Sequence, residues 1–187
     1  TLDPDFAMAW ARVGVMLGNA GRIDAAMAAV RRAYDLRSRA SQPEQWYITS
    51  AYQSTVLGDP QAAAETLRLW HQAYPRDYVP PVNLSRNVAL LGRFEEGLRY
   101  AQTSVSLLQE TQPIPYSNAI DCLIALNRFD EARTFLEGAL QKGVPVNRGF
   151  LAADAVRRDD DEALSRELAQ TTQGPGIVDR AAAAERR

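Results

Sequence analysis

A chain of 187 residues with 46% hydrophobic and 24% charged content is long enough for one ordinary domain. It is too apolar for a disordered tail, too mixed for a membrane protein, and carries no apolar run near the ~20 residues of a membrane helix. Its net charge of -2, with acids and bases interspersed, offers no basic face for nucleic acid. One cysteine, Cys122, excludes an intrachain disulfide and fits a reducing, cytoplasmic compartment.

In chain order, residues 1–6 read as the tail of an upstream repeat. Trp10, Val13, Gly14 and Leu17 then recur at helical spacing and predict a first helix with that face buried. Gly21-Arg-Ile-Asp-Ala-Ala26 follows. Here a glycine takes the left-handed conformation that ends one helix, and Asp24 stands by the positive end of the next. Ala26, Val30 and Ala33 continue that second helix, and residues 37–44 read as a longer loop. The third helix carries Trp46, Tyr47 and Tyr52 and ends at Gly58. Asp59 is the expected N-cap and Pro60 the first residue of the fourth helix, which holds Trp70, His71 and Tyr74.

Gly92-Arg-Phe-Glu-Glu-Gly97 and Asn127-Arg-Phe-Asp-Glu-Ala132 mark two further turns of the same kind. Tyr116, Ala119, Ile120 and Leu123 precede the last of these at helical spacing, and Ala132, Leu136 and Ala139 follow it. Residues 147–156 and 161–169 make a shorter fifth pair. Gly174-Pro-Gly176 breaks the chain, and residues 177–187 read as the first helix of a sixth unit, so the chain is expected to be a piece of a longer polypeptide.

The turn residues Gly21, Gly58, Gly92 and Asn127 are 37, 34 and 35 positions apart. With Trp10, Gly14, Ala26 and Ala33 at their places, residues 2–140 resemble the tetratricopeptide repeat family. The resemblance implies an all-α, tetratricopeptide-type α-α superhelix. Four repeats occupy 7–143, a degenerate fifth hairpin 144–173, and a linker with the start of a further helix 174–187. Three residues depart from the family's pattern: Trp70 stands where a small residue is usual, Pro81 where an aromatic is usual, and Gly97 in place of an alanine. The second and third repeats are therefore expected to be splayed or tilted.

In this family the first helices of successive hairpins line a concave surface that holds a protein or peptide partner. Registering the helices places Met8, Ala11, Val15 and Gly18 there, then Gln45, Ile48, Tyr52 and Thr55. The third hairpin adds Val79, Val82, Arg86 and Ala89, and the fourth Ile114, Ser117, Asp121 and Ile124. Tyr52 and Arg86 are the expected anchors, because large hydrogen-bonding side chains are enriched at binding hot spots. Asp121, Asn83, Ile48 and Val82 complete the candidate groove. The Lys, Arg and Asn cluster with which some members grip a terminal carboxylate is represented only by Arg86, Asn83 and Asn118.

No catalytic constellation, metal site or cofactor motif emerges. His71 lacks a nucleophile, and Cys122 between Asp121 and Leu123 reads as a small core residue. Asp159-Asp-Asp-Glu162 lacks the alternation and glycine of a calcium loop and reads as an exposed helix start. Of the aromatics gathered in the second repeat, helical periodicity accounts for Tyr47 and Trp70 as packing residues and accounts less well for Tyr52. The run Tyr74-Pro-Arg-Asp-Tyr78, with Val79-Pro80 and Asn83-Leu84, is similar to repeats that follow the kinase domain of bacterial serine/threonine protein kinases. It also resembles repeat arrays on bacterial winged-helix regulators. The expected role is a protein-interaction scaffold within a larger bacterial signalling protein. The alternatives are the regulatory part of a kinase or the sensory half of a transcription regulator. No kinase catalytic string occurs in these residues.

Overall fold

Turns with a left-handed residue cut the chain into helical pairs. The computed structural model describes residues 3–108 and 112–173, so residues 1–2 and the expected linker and sixth-unit helix lie outside the described residues. Within them the helices are α1 (Ala7–Asn19), α2 (Ile23–Leu36), α3 (Gln42–Thr55), α4 (Pro60–Ala73), α5 (Val79–Leu90), α6 (Phe94–Leu107), α7 (Pro113–Ala125), α8 (Phe129–Gln141), α9 (Gly149–Arg157) and α10 (Asp161–Gln173). No strand occurs among the described residues.

Gly21, Gly58, Gly92 and Asn127 all have positive φ, between 58° and 75°. At three of these turns the backbone closes on two carbonyls in the last turn of the preceding helix. Gly21 N–H donates to Gly18 and Arg22 N–H to Leu17, and Gly92 with Arg93 and Asn127 with Arg128 repeat the pattern. The turn at Gly58 differs: Asp59 N–H reaches back to Gln53, and the Asp59 carboxylate accepts from Ala62 N–H at 2.9 Å as an N-cap. A fifth turn uses Asp159, at φ 53°, with Asp160 capping α10 through Ala163 N–H. The acidic run is thus a helix start, as read, and its first member also serves as the turn residue. The expected long loop over 37–44 is mostly structured. Arg37–Arg39 form a 3-10 turn, and a capping box between Ser41 and Glu44 starts α3 at Gln42.

Each helix packs on the next, and within the odd-numbered layer, that of the first helices of the hairpins, α1 touches α3 and α5 touches α7. The buried apolar side chains fall into two clusters. The first joins Ala7, Ala11, Ala33, Tyr47, Ile48, Ala64, Leu67, Trp70, Leu84 and Val88. The second runs from Leu98 in α6 through Tyr116, Ile120 and Leu136 to Leu151 in α9. Between them, Ala89 of α5 packs on the second core and Tyr100 of α6 on the first, and small and polar groups fill the closest approach. A methyl group on Gly97 would stand 2.9 Å from Cys122 Sγ and 3.1 Å from the Ser85 carbonyl oxygen. Ser85 and Asn87 beside it are buried. The third repeat is therefore tightly closed at Gly97, which corrects the splaying expected there. In the second repeat, Trp70 is buried where Ala33, Ser104 and Ala139 stand in the other hairpins, and α3 does not close on α5 as α1 does on α3.

Val13 departs from its expected burial and is 41% exposed. Ser50, Leu84 and Ala119, its counterparts in register, are all buried. Gly14 is buried as expected, close against α2.

Candidate functional site

Val15, Tyr52, Arg86 and Asp121 each stand six residues before the left-handed residue of their hairpin. The repeat therefore sets them in one row along the odd-numbered layer. Arg86 and Asp121 are exposed on the adjacent helices α5 and α7. Neither side chain makes a hydrogen bond or ion pair among the described residues, as is also true of exposed charges such as Asp24, Arg31 and Arg99.

Together with Ser85, Asn118, Ala89, Leu90, Phe94 and Cys122 they line a cavity of about 250 Å³. Ser85 is fully buried beside the Cys122 thiol, with which its hydroxyl interacts. The Asn118 amide nitrogen donates to the Val82 carbonyl at 3.1 Å, which ties α7 to α5. Partial burial raises the pKa of the Asp121 carboxyl. The Cys122 thiol is pushed up to about 11, by burial first and by the neighbouring Asp121 charge second, with Ser85 opposing. It is a protonated thiol at neutral pH, inert as a nucleophile.

The remaining groove candidates divide. Val82 is half-buried on α5. The Asn83 side chain is spent on its own helix, donating to the Val79 carbonyl at 2.9 Å. Ile48 is wholly enclosed in the first core and cannot touch a partner. It and Ala11, which shares its register, sit where α1 and α3 meet, so both leave the lining. Tyr52 stacks on Tyr34 with ring centroids 4.0 Å apart and planes 14° from parallel, and the Arg37 guanidinium lies 3.7 Å from the Tyr34 centroid. Its ring is therefore engaged within the fold.

The other aromatics of the second repeat are similarly occupied. Trp46 meets Tyr74 edge-on, and Tyr47 is buried under the Arg12 guanidinium. Ser85 and Phe94 did not emerge from the sequence as site residues. The available signal was register: Ser85 occupies the place that Gly14 holds in the first hairpin, so a polar group appears where the pattern asks only for a small one.

A larger, shallower cleft of about 480 Å³ opens beside α6 and α8, with Val105, Leu123 and Phe135 beneath and Asp130, Glu131 and Lys142 at its rim. Among the described residues no group of His, Cys, Asp or Glu is arranged to hold a metal ion, and no helix is long and apolar enough to cross a membrane.

The fold is that of a tetratricopeptide-type solenoid. No protein-family model matches the chain, and no curated protein matches it. Solved structures do. A thermophilic TPR protein of Thermus thermophilus, TTC0263, is 23% identical and superposes with a TM-score of 0.68 over 96% of this chain and 97% of its own. Cut9 with Hcn1, the hetero-tetramer of the APC/C, matches 89% of this chain at a TM-score of 0.63 and 16% identity, over 33% of that chain. MamA matches 75% of this chain at a TM-score of 0.51 and 16% identity, over 74% of its own length.

Proposed function

We propose that this chain is a non-catalytic, protein-binding scaffold, the repeat region of a larger bacterial signalling protein acting in the reducing cytoplasm. Its partner, a protein or peptide, lies along the concave face formed by the odd-numbered helices. The observation that carries the reading is the cavity between α5 and α7, where an unpaired guanidinium and an unpaired carboxylate flank an apolar wall. Opposite charges at the two edges of an apolar cavity give a partner surface a pattern to complement. The neighbour in fold that is part of a hetero-tetramer supports the same reading.

The test is recovery of a partner with this chain, followed by calorimetry on the Arg86→Ala and Asp121→Ala variants after their folding is checked. Arg99→Ala, an exposed change on the even-numbered layer, is the control. Loss of about tenfold, or ~1.4 kcal/mol, in either inner-face variant is the expected result. Parental binding by both, with weakening by Arg99→Ala, would move the partner to the opposite face.

A further inference from the structure

We infer that the cavity between α5 and α7 receives a primary carboxamide, the side chain of a glutamine or asparagine carried by the partner. The inference rests on the scaffold reading above and names the chemistry its inner face selects.

The donors and acceptors around the cavity define a neutral group with two polar ends. Arg86 can only donate. Asp121, ionised at neutral pH, can only accept. Asn118 has given one amide hydrogen to Val82, which leaves its oxygen to accept and its second N–H to donate. A carboxamide satisfies the set: its oxygen takes the guanidinium, and its two N–H groups reach Asp121 and Asn118. Its aliphatic stem then lies on Leu90 and Phe94.

Charged side chains fit worse. A glutamate would pair with Arg86 and meet Asp121 as a like charge, and a lysine or arginine would do the reverse. In a half-enclosed site with apolar walls such contacts are weakly screened and cost more than at an open surface. A plain apolar side chain would fill the space and leave both charges partly desolvated and unmatched. A cavity of about 250 Å³ has room for one side chain of this size and not for a helix.

The experiment selects binders to the full chain from a randomised short-peptide phage library and measures synthetic versions by calorimetry. One anchor position should be enriched in glutamine or asparagine. Changing that anchor to glutamate or to lysine should each weaken binding about tenfold or more. Charge reversal should then redirect the preference: Asp121→Lys towards a glutamate anchor, and Arg86→Glu towards a lysine anchor. Asp121→Asn and Arg86→Lys accompany them as mild variants, with folding of all four checked by circular dichroism. If peptides depend on Arg86 and Asp121 but tolerate glutamate and lysine equally, or if the reversed chains keep the parental preference, the carboxamide assignment is wrong while the scaffold reading stands. If no peptide binds, or all binders ignore Arg86→Ala and Asp121→Ala, both fall.

Discussion

At Gly14 an added methyl group would meet Val30 Cγ2 at 2.5 Å and the Ala26 carbonyl oxygen at 3.2 Å. Val30 is β-branched and has little rotamer freedom in a helix, so it cannot swing away cheaply. Gly14→Leu should therefore cost roughly 1–3 kcal/mol or more by overpacking. At Gly18 the nearest atom is Ala26 Cβ at 3.8 Å, an ordinary contact, and Gly18→Ala should gain up to about 1 kcal/mol of helix propensity. Urea midpoints of the two variants give the order directly, and a reversed order would refute the register. Cys122 supplies a second test. Its raised pKa favours the protonated thiol in the fold, so its contribution is complete below the ordinary value near 9 and is lost as pH rises towards 11. Tyr47, also raised by burial, acts in the same sense. Cys122→Ala should thus lose less stability than the parent between pH about 8 and about 10.5, measured by urea melts. Gly14 was legible because a close crossing demands a small residue. Ile48 and Ala11 were misplaced for a reason of angle: neighbouring positions on a helix are 100° apart, and the line between groove and helix–helix contact falls between them.

The fifth hairpin shows how an element is held when its apolar content is small. Asp154 on α9 is fully buried and accepts from Arg133 of α8 at 2.8 Å and from Arg157 and Arg158 beyond it. Burial alone would raise its pKa, and the three guanidinium groups together outweigh that and hold it below the ordinary carboxylate value. Arg148 adds a two-pronged bond to Glu167 of α10 at 3.0 and 2.9 Å. Removing one member of such a buried set leaves charge uncompensated, at a cost of about 3 kcal/mol given that the arginines stay partly solvated. Asp154→Ala should accelerate amide exchange in α9 and α10 while α1 to α4 keep their protection. Because the carboxyl pKa is lowered, its contribution is present above pH about 4 and lost below it, so the same helices should loosen first in acid. Helix spacing makes this pair of elements readable in the chain. The clamp is not, since Arg133 and Asp154 meet only through the turn that Gly143 makes at φ 74° after α8.

Across the whole molecule, the division into two cores makes stability local. Solenoid hairpins contact only their neighbours, and here the clustered buried side chains divide between α5 and α6, with the half-buried Ala89 and Tyr100 reaching across. Leu136→Ala, in the second core, should cost ~2–5 kcal/mol. Hydrogen exchange should report that loss in α6 to α8 and leave α1 to α4 near parental rates. Uniform acceleration over all helices would show one cooperative unit instead. The same division bears on the order of events at the ribosome. The first core draws its fully buried members from residues 7–88, so it is complete before most of the second has been translated. At ~5–20 residues per second, seconds pass between the emergence of α5 and that of α9. The nascent chain can thus close its first half early and lay α6 onto a surface already built. A lesion at Leu67 is felt from that first closure onward, and one at Leu136 only near the end of synthesis.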